Sequence, residues 1–137
     1  MRAAAALLLL AAAPASAELG RLKSPMLAAD AARAALTPAA QKAVAGRTAL
    51  PSVDCIDLRR SYATRIVDNR TILWEQSPRR LFLNMPPRGC RTLAAYRTIV
   101  TRSGDSRLCV GDMARVLGQQ GNIVGQCRLG RFVPYVK

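Results

Sequence analysis

The sequence predicts an all-β domain, a small antiparallel barrel or sandwich of six or seven short strands tied by disulfides. Three observations predict it. From Ser52 onward, runs rich in β-branched and aromatic residues recur at about ten-residue intervals. Turn signals built on Gly, Pro, Asn and Asp separate them. All four cysteines, Cys55, Cys90, Cys109 and Cys127, fall in that same stretch. The spacing suits neither βαβ units nor a solenoid.

Taken in order, residues 1–17 read as a secretory signal peptide cleaved after Ala17. Met1-Arg2 gives the positive start, Ala3 to Ala13 is purely Ala and Leu, and Ala15 and Ala17 supply the small side chains a signal peptidase accepts. The run is too short for a spanning helix, which needs about 20 apolar residues. Residues 18–51 form an Ala-rich arm, helical or flexible, rather than a second domain. Ser24-Pro25 opens a helix that runs to about Leu36, and Thr37-Pro38 opens a second, shorter one that Gly46 stops. Met26, Leu27, Leu36 and Val44 offer little to bury, so the arm is expected to dock loosely.

The β domain occupies residues 52–137. Tyr62 to Val67 alternates, with Tyr62, Thr64 and Ile66 on one face, and Asp68-Asn69 turns the chain into Thr71 to Glu75. Pro78 ends that strand, and Leu81 to Met85 is the next. Pro86-Pro87-Arg88-Gly89 is a loop. Tyr96 to Arg102 and Leu108 to Cys109 flank Ser103-Gly104-Asp105, which predicts a hairpin between them. Gly111-Asp112 is a turn before Met113 to Leu117, and Gln119-Gln120-Gly121-Asn122 is the following loop. Val124 to Val136 is a last strand or pair of strands, interrupted by Gly130 and Pro134.

An even cysteine count in an exported chain predicts two disulfides. The absence of any C-x-x-C pair or His speaks against zinc and thiol redox chemistry. Four cysteines allow three pairings. The hairpin reading favours Cys90–Cys109 nested inside Cys55–Cys127.

The chain carries 21 Lys+Arg against 8 Asp+Glu, a formal +13, with Arg far outnumbering Lys. Such a field attracts anions. In an exported protein the expected partner is an anionic envelope surface or another periplasmic protein, and not nucleic acid. Arg79, Arg80 and Arg88 are the candidate contact residues, the first two adjacent and the third in the Pro-rich loop. A scattered, solvated surface is the plainer reading of the remaining arginines.

With no His, neither a Ser–His–Asp nor a Cys–His nucleophile system exists within the chain. The remaining acid/base candidates are Asp54, Asp57, Asp68, Glu75, Asp105 and Asp112, and no spacing marks a pair. Gly111 and Gly130 stand in no phosphate-binding motif, and no cofactor is expected. Trp74, Phe82, Tyr96, Phe132 and Tyr135 are too few to spare from a core, which outweighs a base-stacking platform.

Cys55-Ile56, Val67-Asp68-Asn69-Arg70-Thr71-Ile72-Leu73, Arg88-Gly89-Cys90, Leu108-Cys109-Val110-Gly111-Asp112 and Cys127-Arg128-Leu129-Gly130-Arg131-Phe132 occur here in that order. Together they resemble an uncharacterised family of small exported Gram-negative proteins, a domain of unknown function, over residues 53–135. The resemblance implies a periplasmic or secreted location and brings no catalytic or ligand residue. The resulting expectation is a non-catalytic exported domain that binds an anionic envelope component or a protein. A secreted enzyme inhibitor presenting Arg88 is the first alternative, and a small enzyme using carboxylates is the second.

Overall fold

Ten strands in three antiparallel sheets make up the computed structural model, which describes residues 35–60 and 62–137. They are β1 (Thr48–Ala49), β2 (Cys55–Asp57), β3 (Ala63–Ile66), β4 (Ile72–Ser77), β5 (Arg80–Asn84), β6 (Thr98–Thr101), β7 (Arg107–Cys109), β8 (Met113–Leu117), β9 (Ile123–Arg128) and β10 (Phe132–Val136). Among the described residues one helix, α1 (Pro38–Ala43), precedes them. The largest sheet has the order β1-β10-β5-β4-β3, the second is the pair β2-β7, and the third runs β6-β8-β9. The all-β class is therefore as expected, in packed sheets rather than a closed barrel. The strand count exceeds six or seven because β1 and β2 are too short to show a pattern and because Val124 to Val136 falls in two strands, β9 and β10.

Apolar residues on both faces of the largest sheet explain the layering. Ile72, Trp74, Phe82 and Phe132 face the two smaller sheets, where they meet Ile56, Leu108, Ala114, Val116 and Leu129. Their neighbours Leu73, Leu81, Leu83 and Tyr135 point the other way and are equally buried. What covers that second face is the Ala-rich segment: Leu36, Ala40 and Val44 pack on it, Ala40 with no exposure at all. This part of the arm is thus integral to the fold rather than loosely docked. The start signal at Thr37-Pro38 operates as read. Ala40 N–H donates to Thr37 Oγ1 at 3.1 Å, and the Thr37 hydroxyl donates in turn to Asp68 in the β3–β4 turn. Gly46, at φ +70°, ends the segment. The expected signal peptide and all but the last two residues of the first expected helix lie outside the described residues. No helix among the described residues is long and apolar enough to cross a membrane.

The expected hairpin across Ser103–Asp105 does not form. β6 pairs with β8, while β7 pairs with β2, placing Cys109 directly opposite Cys55. The nested disulfide pairing falls with it. The bonds are Cys55–Cys109 and Cys90–Cys127, which overlap in sequence. Val110 N–H donates to Asp54 O and Leu58 N–H to Ser106 O, so Cys55 and Cys109 occupy a non-hydrogen-bonded pair between them. Cross-strand Cα atoms come closest at such pairs, here 4.0 Å. Cys127, on β9, reaches Cys90 in the loop after β5, with Cα atoms 5.4 Å apart.

Pro134 also departs from expectation by lying inside β10, opposite Phe82. Its carbonyl accepts from Leu50 N–H at 2.8 Å, so its missing donor faces the short β1 edge. The ladder to β5 loses nothing, which is the condition for a strand proline. Gly130 does break the chain between β9 and β10, where a Cβ would lie 2.5 Å from the Met85 carbonyl. Fully buried Asn84 holds it there: Asn84 Nδ2 donates to Gly130 O at 2.7 Å, and Gly130 N–H donates to Asn84 Oδ1 at 2.9 Å.

Candidate functional site

The Pro86–Gly89 segment folds as a turn closed by Gly89 N–H donating to Pro86 O at 2.9 Å, with Gly89 at φ +70°. Cys90 follows at once and is bonded to Cys127. This tether lays the loop beside β9, close enough that a Cβ on Gly125 would lie 2.0 Å from Thr92 Oγ1. Between them opens a groove of about 660 Å³, within the roughly 300–1,000 Å³ usual for ligand clefts. Its floor includes the Cys90–Cys127 bond, Met113 and Leu129, and exposed Val110 forms part of its wall.

Three arginines are among the residues lining this groove, Arg88, Arg91 and Arg128, and no acidic residue is. All three residues are exposed. Among the described residues none of them has an ion-pair partner. Arg128 is steadied by Nη1 donating to Gly111 O at 2.9 Å. An apolar floor under unpaired cations suits a ligand that is anionic and has some apolar body.

Of the three arginines singled out from the sequence, only Arg88 is in this groove. Arg79 sits in the β4–β5 turn and Arg80 opens β5, both at the far end of that strand from Arg88. Arg80 stacks over Phe82 at 5.4 Å and borders a smaller cleft of about 260 Å³ with Arg60, Tyr62 and Asp57. The fold therefore separates the adjacent pair from the loop arginine. It brings to Arg88 instead two residues that sequence reading passed over, Arg91 and Arg128. The only hint was that each neighbours a cysteine of one bond, Arg91 after Cys90 and Arg128 after Cys127.

The six acid/base candidates are dispersed and each is occupied. Asp57 pairs with Arg59 at 2.8 Å, Glu75 with Arg65 at 2.9 Å, and Asp54 with Arg131 at 3.1 Å. Asp68 accepts from Arg70 N–H at 2.8 Å, Asp105 from Arg107 N–H at 2.9 Å, and Asp112 from Cys109 N–H at 2.7 Å. Those last three are turn contacts of the ordinary kind. Among the described residues no group of three or more His, Cys, Asp or Glu side chains is placed to hold a metal ion. Of the aromatic residues considered for stacking, Trp74, Phe82, Phe132 and Tyr135 are core, and Tyr96 alone is exposed.

The bond from Arg59, aided by Arg59 N–H, lowers the Asp57 pKa from 3.8 to about 2. The folded value lies below the unfolded one, so the contribution to stability is complete above the unfolded pKa and is lost as pH falls through about 2. Asp57 is half-exposed at the end of β2, so the effect is a local one. A carboxyl NMR titration is expected to give Asp57 a midpoint near 2, and Arg59→Ala is expected to return it toward 3.8. An unchanged midpoint in that variant would mean the ion pair does not form in solution.

Comparison with protein-family models, curated proteins and solved structures finds no match to this chain.

Proposed function

We propose that the mature chain is a non-catalytic binding domain of an oxidising extracytoplasmic compartment, holding an anionic partner in the groove between the Pro86–Thr92 loop and β9. The convergence of Arg88, Arg91 and Arg128 on one cleft without a carboxylate carries this reading. Export is supported by the signal-like residues 1–17 and by the use of all four cysteines in disulfides. The engagement of all six described carboxylates in ion pairs and turns favours binding over acid–base catalysis. The closed turn at Arg88 also favours the groove over a substrate-like inhibitor loop, which presents its residues extended.

Binding to phosphatidylglycerol vesicles or to labelled polyglutamate tests this reading. At low ionic strength the protein is expected to bind at least one of them, and to release it as salt shortens the screening length. Replacing Arg88, Arg91 and Arg128 together by Ser is expected to weaken binding about 100-fold, at roughly 1 kcal/mol per cation. Absence of binding to both probes at low salt would overturn the reading.

A further inference from the structure

The groove has a second recognition element besides its cations, the open edge of β9. That strand is last in its sheet, paired with β8 and nothing else among the described residues. Leu129 N–H donates to Asp112 O at 2.9 Å, and Gly111 N–H donates to Leu129 O at 2.9 Å. Alternation back through Cys127, opposite Ala114, and Gly125, opposite Val116, turns the odd-numbered residues toward β8. The N–H and C=O groups of Gln126 and Arg128 therefore point to the open side. Both residues are exposed, and their backbone groups have no backbone partner among the described residues. An unpaired strand edge is a template for one more strand.

We infer that the groove receives an extended acidic peptide segment of another protein, which adds as a strand to the β9 edge. The inference rests on the anion-binding reading above and specifies its partner. Charge selects against a second copy of this chain, since each carries a formal +13. A peptide residue opposite Gln126 shares its face with Gln126 and Arg128, so an acidic side chain there lies beside the Arg128 guanidinium. Intervening residues face the side of Gly125 and Cys127, where Thr92 and Cys90 close in, and only small side chains fit. The favoured pattern is thus acidic–small–acidic, with backbone hydrogen bonds supplying affinity and the arginines supplying selectivity.

The test uses the mature full chain and a fluorescein-labelled peptide of alternating Glu and Ala, read by anisotropy at low ionic strength. Two further peptides carry backbone N-methyl groups, one on its Glu residues and one on its Ala residues. All three have the same charge. In an antiparallel register, the direction of every strand pair in this fold, methylation at Glu removes the donors that face β9 and is expected to weaken binding at least about tenfold, whereas methylation at Ala is expected to change it by less than about threefold. Gln126→Pro removes one edge donor without touching the β8 ladder and is expected to weaken the parent peptide likewise, its folding checked by thermal unfolding. Equal binding of the two methylated peptides would overturn strand addition while leaving the basic groove intact. So would vesicle binding with no peptide binding. Failure of vesicles, polyglutamate and peptides together would overturn both readings.

Discussion

Replacing Asn84 by Ala is expected to lower the stability of the folded chain by about 3 kcal/mol, the largest loss from any single polar side chain here. Asn84 is fully buried and bonds both the N–H and the C=O of Gly130, which is itself buried. Truncation strands two backbone groups that water cannot reach, each costing on the order of 1–3 kcal/mol, and leaves a small void. For a domain of this size the thermal midpoint would fall by roughly 12–20 °C. Urea unfolding of the variant measures the loss. Asn84→Asp separates the causes, because it keeps an acceptor for the Gly130 N–H, loses the donor to the carbonyl, and buries a charge. Burial raises the carboxyl pKa above its unfolded value, so that variant is expected to be at least as unstable as the alanine at neutral pH and to recover part of the loss as pH falls toward about 4, where the gain is complete. A loss under about 1 kcal/mol for Asn84→Ala would mean that solvent reaches Gly130.

Removing either disulfide is expected to cost about 4 kcal/mol. The bonds close 54 and 37 residues, and on the loop-entropy relation these give nearly equal stabilisation. Against a total of about 5–15 kcal/mol, either deletion leaves a weakly folded chain, and removing both leaves it largely unfolded. The two deletions differ in local effect. Cys55→Ala with Cys109→Ala cuts one cross-strand link between β2 and β7. Cys90→Ala with Cys127→Ala frees the loop that walls the groove, so binding suffers beyond the loss of stability. Denaturant unfolding of both variants, with non-reducing peptide mapping of the parent, checks this. A Cys55–Cys127 peptide in the map would contradict the connectivity.

Local signals in the sequence are readable wherever the chain decides its conformation within a few residues. Thr37-Pro38 starts α1, Pro86 to Gly89 turns, and Gln119 to Asn122 joins β8 to β9. Pairings between distant residues are not readable in that way. Ser103-Gly104-Asp105 has the composition of a hairpin turn, yet the strands on either side of it find partners elsewhere. The burial of α1 had a signal that is clear in retrospect. Ile72-Leu73-Trp74 and Leu81-Phe82-Leu83 are unbroken apolar runs, which a sheet tolerates only when both faces are covered. Something outside the β domain had to supply the second cover, and small Ala side chains allow a close approach. Of the groove, Arg88 was legible from its loop, whereas Arg91 and Arg128 are 37 residues apart and meet only through the Cys90–Cys127 bond.

The site assignment is tested most directly by removing equal charge from two places. One variant changes Arg88, Arg91 and Arg128 to Ser, and the other changes the exposed Arg79, Arg80 and Arg102. Both lose three cations, so a diffuse attraction to polyglutamate or anionic vesicles would weaken equally in the two. Binding through the groove is expected to fall about 100-fold in the first and less than about fivefold in the second. Equal losses, or a larger loss in the second, would contradict the groove as the site.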